Sequence, residues 1–216
     1  MDTIKELRRL ASPIPTPQAL AFHDGTVWVG SRSTKQIQAI DAATWVVRWE
    51  TLAPGTPYGM TVMNGELRVL CGETEDDNRI IRRCMPGQGF DDQFGIPCPE
   101  DTGSQLSYDG RHLHVSQWYP KRVLALDERG EVVRTIHAPH EICGQVFAGG
   151  ILHLLTTDDE NTTDYWLTRV DLSGSSPTFE DLIHIPFAAR ALAFDGTNFW
   201  TNHRERNEIV CFAQPA

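Results

Sequence analysis

Short apolar runs punctuated by glycine turns recur along the chain. "QALAFHDGTVWVGSRSTKQIQAID" from Gln18, "SQLSYDGRHLHVSQWYPKRVLALD" from Ser104 and "RALAFDGTNFWTNHRERNEIVCFA" from Arg190 match nearly position by position. "YGMTVMNGELRVLCGETEDDNRIIRRC" from Tyr58 and "CGQVFAGGILHLLTTDDENTTDYWLTRVD" from Cys143 are weaker copies. The anchors Leu20, Met60, Leu106, Gln145 and Leu192 lie 39 to 47 residues apart. In each copy a first strand ends at Phe22, Val62, Tyr108, Phe147 or Phe194, a Gly-containing turn follows, and a second apolar strand begins. A polar loop leads to a third strand, which ends in Asp at Asp41, Asp127 and Asp171, where a short carboxylate suits a turn. "VVRWETL", "EVVRTIHAP" and "DLIHIPF" read as fourth strands.

Four antiparallel strands repeated at about 40 residues mark a propeller blade. The fold class is therefore all-β, a five-bladed β-propeller of four-stranded antiparallel blades in one domain over 1–216. Its repeats lie near 18–57, 58–103, 104–142, 143–189 and 190–216. The last copy stops after its third strand, and residues near 3–12 parallel the outer strands that precede the other Pro-bearing junctions. They are expected to close the ring and so remove an open sheet edge. A short helix competes there, because "TIKE" is a capping box and "IKELRRL" has helical spacing. "PGQGFDDQFGIPCPEDT" and "DDENTTDYW" read as long loops that stretch the second and fourth intervals.

Composition narrows the partners. The formal net charge is −10, which disfavours nucleic acid, since phosphate contacts need clustered Lys and Arg. No apolar run approaches the roughly 20 residues of a membrane-spanning helix. "MDTIKELRRLASP" contains acidic residues and lacks an apolar stretch, so it does not read as a secretory signal, and the cytoplasm is the expected compartment. The cysteines Cys71, Cys84, Cys98, Cys143 and Cys211 are odd in number and show no CxxC spacing, so reduced buried thiols are expected.

Strand direction reverses twice within a blade, so the start of each inner strand and the loop between strands two and three share one face. The repeat alignment places Gln18, Tyr58, Ser104, Cys143 and Arg190 at the first position. Arg32, Glu73, Gln117 with Trp118, Asp158, and His203, Arg204 and Glu205 stand at the second. Such chemical variety at one repeat position suits a site carried on a rigid scaffold. Arg190 offers a planar fork for a carboxylate or phosphate, or else braces neighbouring blades through carbonyls or Glu73. His203, oriented by Glu205 or Glu73, can move a proton near neutral pH, and Glu73 itself is an acid or base at the ring. Cys143, with His140 and Glu141 close in sequence, becomes a nucleophile if Arg190 stabilises its thiolate. Gln18, Ser104 and Arg32 add polar contacts for a substrate, while Tyr58 and Trp118 form an aromatic wall. A divalent metal ion held by some of His140, Cys143, Glu73 and His203 is the cofactor reading, although no spacing matches a ligand motif. His114 and His153 share a repeat slot with Trp28, Arg68 and Trp200 and are expected to pack between blades.

On "LAFDGTNFWTNHRERNEIVCF", with its DG turn and apolar-aromatic second strand, the chain resembles the broad propeller superfamily of streptogramin B lyases, the gluconolactonase group and YVTN-type repeats. The resemblance spans the chain at the level of the fold. Streptogramin lyases have seven blades and a metal-linked His and Glu, for which His203 and Glu205 are the only counterparts on one loop. Plant and bacterial glutaminyl cyclases are similar in having five blades, but their "FTQG" opening and "YES" segment are absent here. The expected function is that of a small-molecule enzyme, of lyase or hydrolase type, acting on an anionic or polar metabolite at the channel mouth. The alternative is a non-catalytic propeller that binds a small ligand or a protein.

Overall fold

The computed structural model describes residues 2–215 except 75 and 175. After β1 (Glu6–Ala11) come four complete blades and the three remaining strands of a fifth. Blade 1 contains β2 (Pro17–His23), β3 (Thr26–Ser31), β4 (Gln36–Asp41) and β5 (Val47–Leu52). Blade 2 contains β6 (Thr56–Met63), β7 (Glu66–Gly72), β8 (Arg79–Met85) and β9 (Gly89–Pro97). Blade 3 contains β10 (Gln105–Tyr108), β11 (Leu113–Gln117), β12 (Arg122–Leu126) and β13 (Val132–His137). Blade 4 contains β14 (Glu141–Ala148), β15 (Ile151–Thr157), β16 (Tyr165–Asp171) and β17 (Thr178–Ile185). Blade 5 contains β18 (Ala189–Phe194), β19 (Asn198–His203) and β20 (Glu208–Ala213). The protein is a five-bladed β-propeller.

β1 completes blade 5 by pairing antiparallel with β20, from Glu6 opposite Phe212 to Ala11 opposite Glu208. The helical alternative loses, because a helix this short is marginal alone, whereas the strand covers the exposed edge of β20. The segment just before β1 also ties into blade 4. Ile4 N–H donates to His184 O at 2.9 Å, His184 N–H donates to Asp2 O at 2.8 Å, and Ile4 is buried among Tyr165, Ile183 and Phe187.

The apolar residues divide into clusters at the blade interfaces rather than into one central core. Side chains alternate across a strand. Val27 and Val29 of β3 therefore join Ala191, Trp200 and Ile209 of blade 5, while Trp28 between them joins Met60, Leu67 and Val69 of blade 2. This explains why inner strands are apolar almost without interruption: both faces are covered. Each fully buried Val, Leu or Ile contributes about 1.5–3 kcal/mol. The slot of Trp28, Arg68, His114, His153 and Trp200 packs against aromatic neighbours. His114 lies 4.9 Å from Phe147, His153 5.1 Å from Phe199, and Trp200 6.2 Å from Phe22, between ring centroids.

The third-strand aspartates cap their turns. Asp41 Oδ1 accepts from the N–H groups of Ala43 and Thr44 at 3.1 and 2.8 Å, and Asp127 Oδ1 from those of Arg129 and Glu131 at 2.8 and 2.9 Å. One expectation is corrected. "PGQGFDDQFGIPCPEDT" is not a long loop, since Gly89–Pro97 is β9, the outer strand of blade 2. Its glycines and aspartates hid it. An outer strand needs no apolar alternation when its partner supplies polar contacts, and here Arg83 pairs with Asp91 while Arg82 Nη1 donates to Phe94 O at 3.1 Å. "DDENTTDYW" is a loop only as far as Asp164, where Tyr165 and Trp166 open β16. All five cysteines are buried and unpaired.

Candidate functional site

The start of each inner strand carries the same irregularity. The ladder skips a residue between Pro17 and Ala19, between Pro57 and Gly59, and between Ile142 and Gly144, and it shifts again between Ala189 and Leu192. In blade 3, Ser104 N–H donates to Ser116 O at 2.7 Å while Gln105 N–H donates to the Ser116 hydroxyl at 3.1 Å, so two residues again oppose one. A bulge re-aims a side chain and ends regular pairing. Gln18, Tyr58, Ser104, Cys143 and Arg190 are thereby turned towards the channel mouth, and all five line one cavity of about 190 Å³.

One step further along each strand stand Ala19, Gly59, Gln105, Gly144 and Ala191. Four of these are small, and the two glycines are so of necessity. A Cβ on Gly59 would lie 2.6 Å from Gln105 Cα, and one on Gly144 would lie 2.8 Å from the Ala191 carbonyl carbon. Gln105 alone fills the axis. Its Nε2 donates to Arg190 O at 2.7 Å and to Tyr58 O at 2.9 Å, forming the floor of the cavity. Gln145 continues this bracing, donating to Gln105 O at 3.1 Å and His114 O at 2.9 Å.

The walls are cationic. Arg32, Arg79, Arg190 and Arg204 all line the cavity, and Glu160 is the one carboxylate among its lining residues. Arg190 is buried, with 7% of its surface exposed. Its Nη1 donates to the Tyr165 hydroxyl at 2.7 Å, its Nη2 lies 3.4 Å from Glu160 Oε2, and its guanidinium sits 5.2 Å from the Trp118 ring centre. Burial pushes the Tyr165 phenol up to about 12, so it stays protonated at neutral pH. Arg79 lies 3.6 Å over the Tyr58 ring and 2.7 Å from Asp77, to which the Tyr58 hydroxyl also donates at 2.7 Å. Arg204 Nη1 donates to Gln18 Oε1 at 2.9 Å. Burial, and then the charges of Arg190 and Arg32, lower its pKa, and no carboxylate pairs with it among the described residues.

Of the three expected catalytic residues, His203 and Glu73 lie off the cavity and Cys143 lines it. His203 lines no part of the cavity. Successive side chains of β19 point to opposite faces, so it is Asn202 that turns inward, accepting from Arg190 N–H at 2.9 Å and donating to Pro17 O at 2.8 Å. His203 stacks on Phe187 at 5.1 Å instead, and burial lowers its pKa. Glu73 turns away to form a two-pronged ion pair with Arg82, at 2.6 and 2.7 Å, and so neither orients His203 nor braces Arg190. Cys143 does lie beside Arg190, with Sγ 4.0 Å from Nη1, but burial raises its pKa far above the ordinary 9.0 and outweighs the pull of the cation.

The metal reading fares similarly. His140 is bound to Asp158 at 2.6 Å, and Glu73, Cys143 and His203 are engaged as described. These side chains do not converge, and among the described residues no group of three or more His, Cys, Asp or Glu is placed to hold an ion. Nor is any helix among them long and apolar enough to cross a membrane.

Arg79, Glu160 and Tyr165 were not among the residues expected from the sequence. A signal for two of them existed, because Gln36, Arg79, Arg122, Tyr165 and Glu208 open the third strands and vary as widely as the inner ring does. Glu160 lies two residues past Asp158 on the loop between β15 and β16, which is longer than its counterparts in the other blades.

No family model matches the chain, and no curated protein matches it in sequence. Solved structures do resemble it. A glutaminyl cyclase of Myxococcus xanthus superposes with a TM-score of 0.73 at 11% identity, covering 99% of both chains. A PQQ-bound aldose sugar dehydrogenase of Streptomyces coelicolor gives 0.62 at 15% identity, covering 94% of this chain and 78% of the other. A streptogramin B lyase gives 0.55 at 12% identity, covering 97% and 87%. At such identities the likeness is one of fold.

Proposed function

We propose that the protein binds a small anionic metabolite at the arginine-lined mouth of its channel. The observation that carries this reading is Arg204, a half-buried cation with two further arginines near it and no carboxylate partner among the described residues. A desolvated cation is costly unless paired, and a chain of net charge −10 has gathered four arginines around one cavity. A bound anion would offset both the burial and the mutual repulsion. The volume of about 190 Å³ suits a metabolite smaller than a drug-sized ligand. Trp118, Tyr119 and Tyr58 supply an aromatic wall beside the cations.

A catalytic reading has one observation in its favour. Glu160, exposed on its loop and loosely held by Arg190, is a carboxylate able to take a proton once a ligand anion replaces it on the guanidinium, and Tyr165 is a protonated donor on the same arginine. Two of the similar structures are described as a cyclase and a lyase, which is compatible with proton transfer at such a mouth.

Thermal unfolding with phosphate, citrate or benzoate tests the binding reading. An anion at about 100 times its Kd adds about 2.7 kcal/mol to stability, and Arg190→Met is expected to abolish that gain. The unliganded variant should lose the Tyr165 bond, the long Glu160 contact and the contact with Trp118, together about 1–2 kcal/mol, or about 2–8 °C. A much larger loss without ligand, with anion stabilisation retained, would make Arg190 a brace between blades and remove it from the site.

A further inference from the structure

We infer that the ligand of this mouth is a dianion, either a phosphomonoester or a compact dicarboxylate, carrying one apolar or aromatic group. The inference rests on the anion-binding reading and adds a charge count to it. Of the four arginines, Arg79 is matched by Asp77 at 2.7 Å and Arg190 by Glu160 at 3.4 Å. Arg32 and Arg204 have no carboxylate partner among the described residues. Two positive charges are therefore left over at one cavity, the half-buried Arg204 and the exposed Arg32 at its rim, and they arrive from neighbouring blades, Arg32 just after β3 and Arg204 just after β19. A monoanion would neutralise one and leave the other facing the charge that already depresses the Arg204 pKa.

Geometry favours the same class. Gln18 holds Arg204 through Oε1 at 2.9 Å, which fixes the guanidinium in the cavity wall before any ligand arrives. A fork held in this way recognises a planar carboxylate or the oxygens of a phosphate through paired hydrogen bonds. Trp118 and the highly exposed Tyr119 line the same cavity, Trp118 beside the Arg190 guanidinium, and add apolar surface. Cations and rings together match an anionic head with an apolar tail. The floor offers no acidic group, since Gln105 spends its amide on the carbonyls of Tyr58 and Arg190.

Calorimetric titration of the whole protein with benzoate, phthalate and phenyl phosphate, at low salt and pH 8, separates the charge states on one ring. Phosphomonoesters are dianionic well above their second pKa of about 6. Phthalate and phenyl phosphate are expected to bind about tenfold or more tightly than benzoate, the ratio for one added charge-assisted contact. Arg204→Met should reduce that ratio to less than about threefold, and Arg204→Lys should restore part of it. Equal affinity for all three probes, or a ratio untouched by Arg204→Met, would overturn the dianion inference while leaving an anion site in place. Binding by none of the three would remove the anion-binding reading itself.

Discussion

The two ends of the central channel are made by the same five strands and differ in charge: one is ringed by arginines, the other has no Arg, Lys, Asp or Glu among the described residues around it. At the mouth, bulged residues and the loops beside them present Arg32, Arg79, Arg190, Arg204 and Glu160 around about 190 Å³. At the far end, where pairing is regular, His23, Thr61, Tyr108 and Gln145 stand beside Phe22, Val62, Phe147 and Phe194 around about 160 Å³. Between them Gln105 and Gln145 bridge strands from β6 to β18 through backbone carbonyls. The difference teaches that the regular repeat builds only the end without acidic or basic side chains. Local departures from the ladder, one per blade, make the other end available for chemistry.

The most severe way to break this contrast is to widen the ring where both ends depend on it. Gly59→Val places a branched side chain where even a Cβ meets Gln105 Cα at 2.6 Å. A loss of about 3 kcal/mol is expected, at the upper end for overpacking, together with loss of anion binding, measured by urea unfolding and titration.

A pH series sharpens the comparison. The mouth is held by arginines, which stay charged, whereas the blade interfaces hold His114 and His153, and a third histidine, His203, stacks on Phe187. Burial lowers the pKa of all three. Such a base takes up a proton more readily when unfolded, where its value is 6.5, so its contribution is complete well above that pH and is lost as the pH falls below it. The melting temperature should fall between pH 7.5 and 5, and less steeply in His153→Gln. Asp109 responds later. Burial raises its carboxyl, but donation from His112 N–H, His114 and Arg111 N–H brings it down to about 2, so its support is lost only as pH falls from about 3.8 towards 2. An unchanged melting temperature down to pH 5 would argue against neutral buried imidazoles.

The smallest expected effect is at the rim. Tyr119 is 85% exposed, and Tyr119→Ala should change stability by less than about 0.5 kcal/mol. It should weaken an aromatic anion more than inorganic phosphate, which titration of both would show.

Much of the fold was legible because repetition is a long-range signal carried by many residues at once. The matching copies at Gln18, Ser104 and Arg190 implied blades, and the missing outer strand of the last copy implied the role of β1. β9 was not legible, because a strand with one face in solvent and an Arg–Asp pair on its partner has no apolar period to read. The ring of Gln18, Tyr58, Ser104, Cys143 and Arg190 was legible from alignment alone. His203 and Glu73 were misplaced because a repeat position fixes where a residue stands but not which way its side chain turns.

The sequence by itself determined the number of blades, the order of their strands and the inner-strand ring at the channel mouth. Hydrophobic period and turn chemistry are local properties, and five copies reinforce one another. Only the tertiary structure decided which of those residues meet. Bulges rotate side chains by a register step, Asn202 and His203 exchange inside for outside, and Glu160 reaches Arg190 from a loop thirty residues away. Electrostatic character followed from that meeting. An acidic chain acquired a cationic cavity because arginines from blades 1, 2 and 5 converge on one axis.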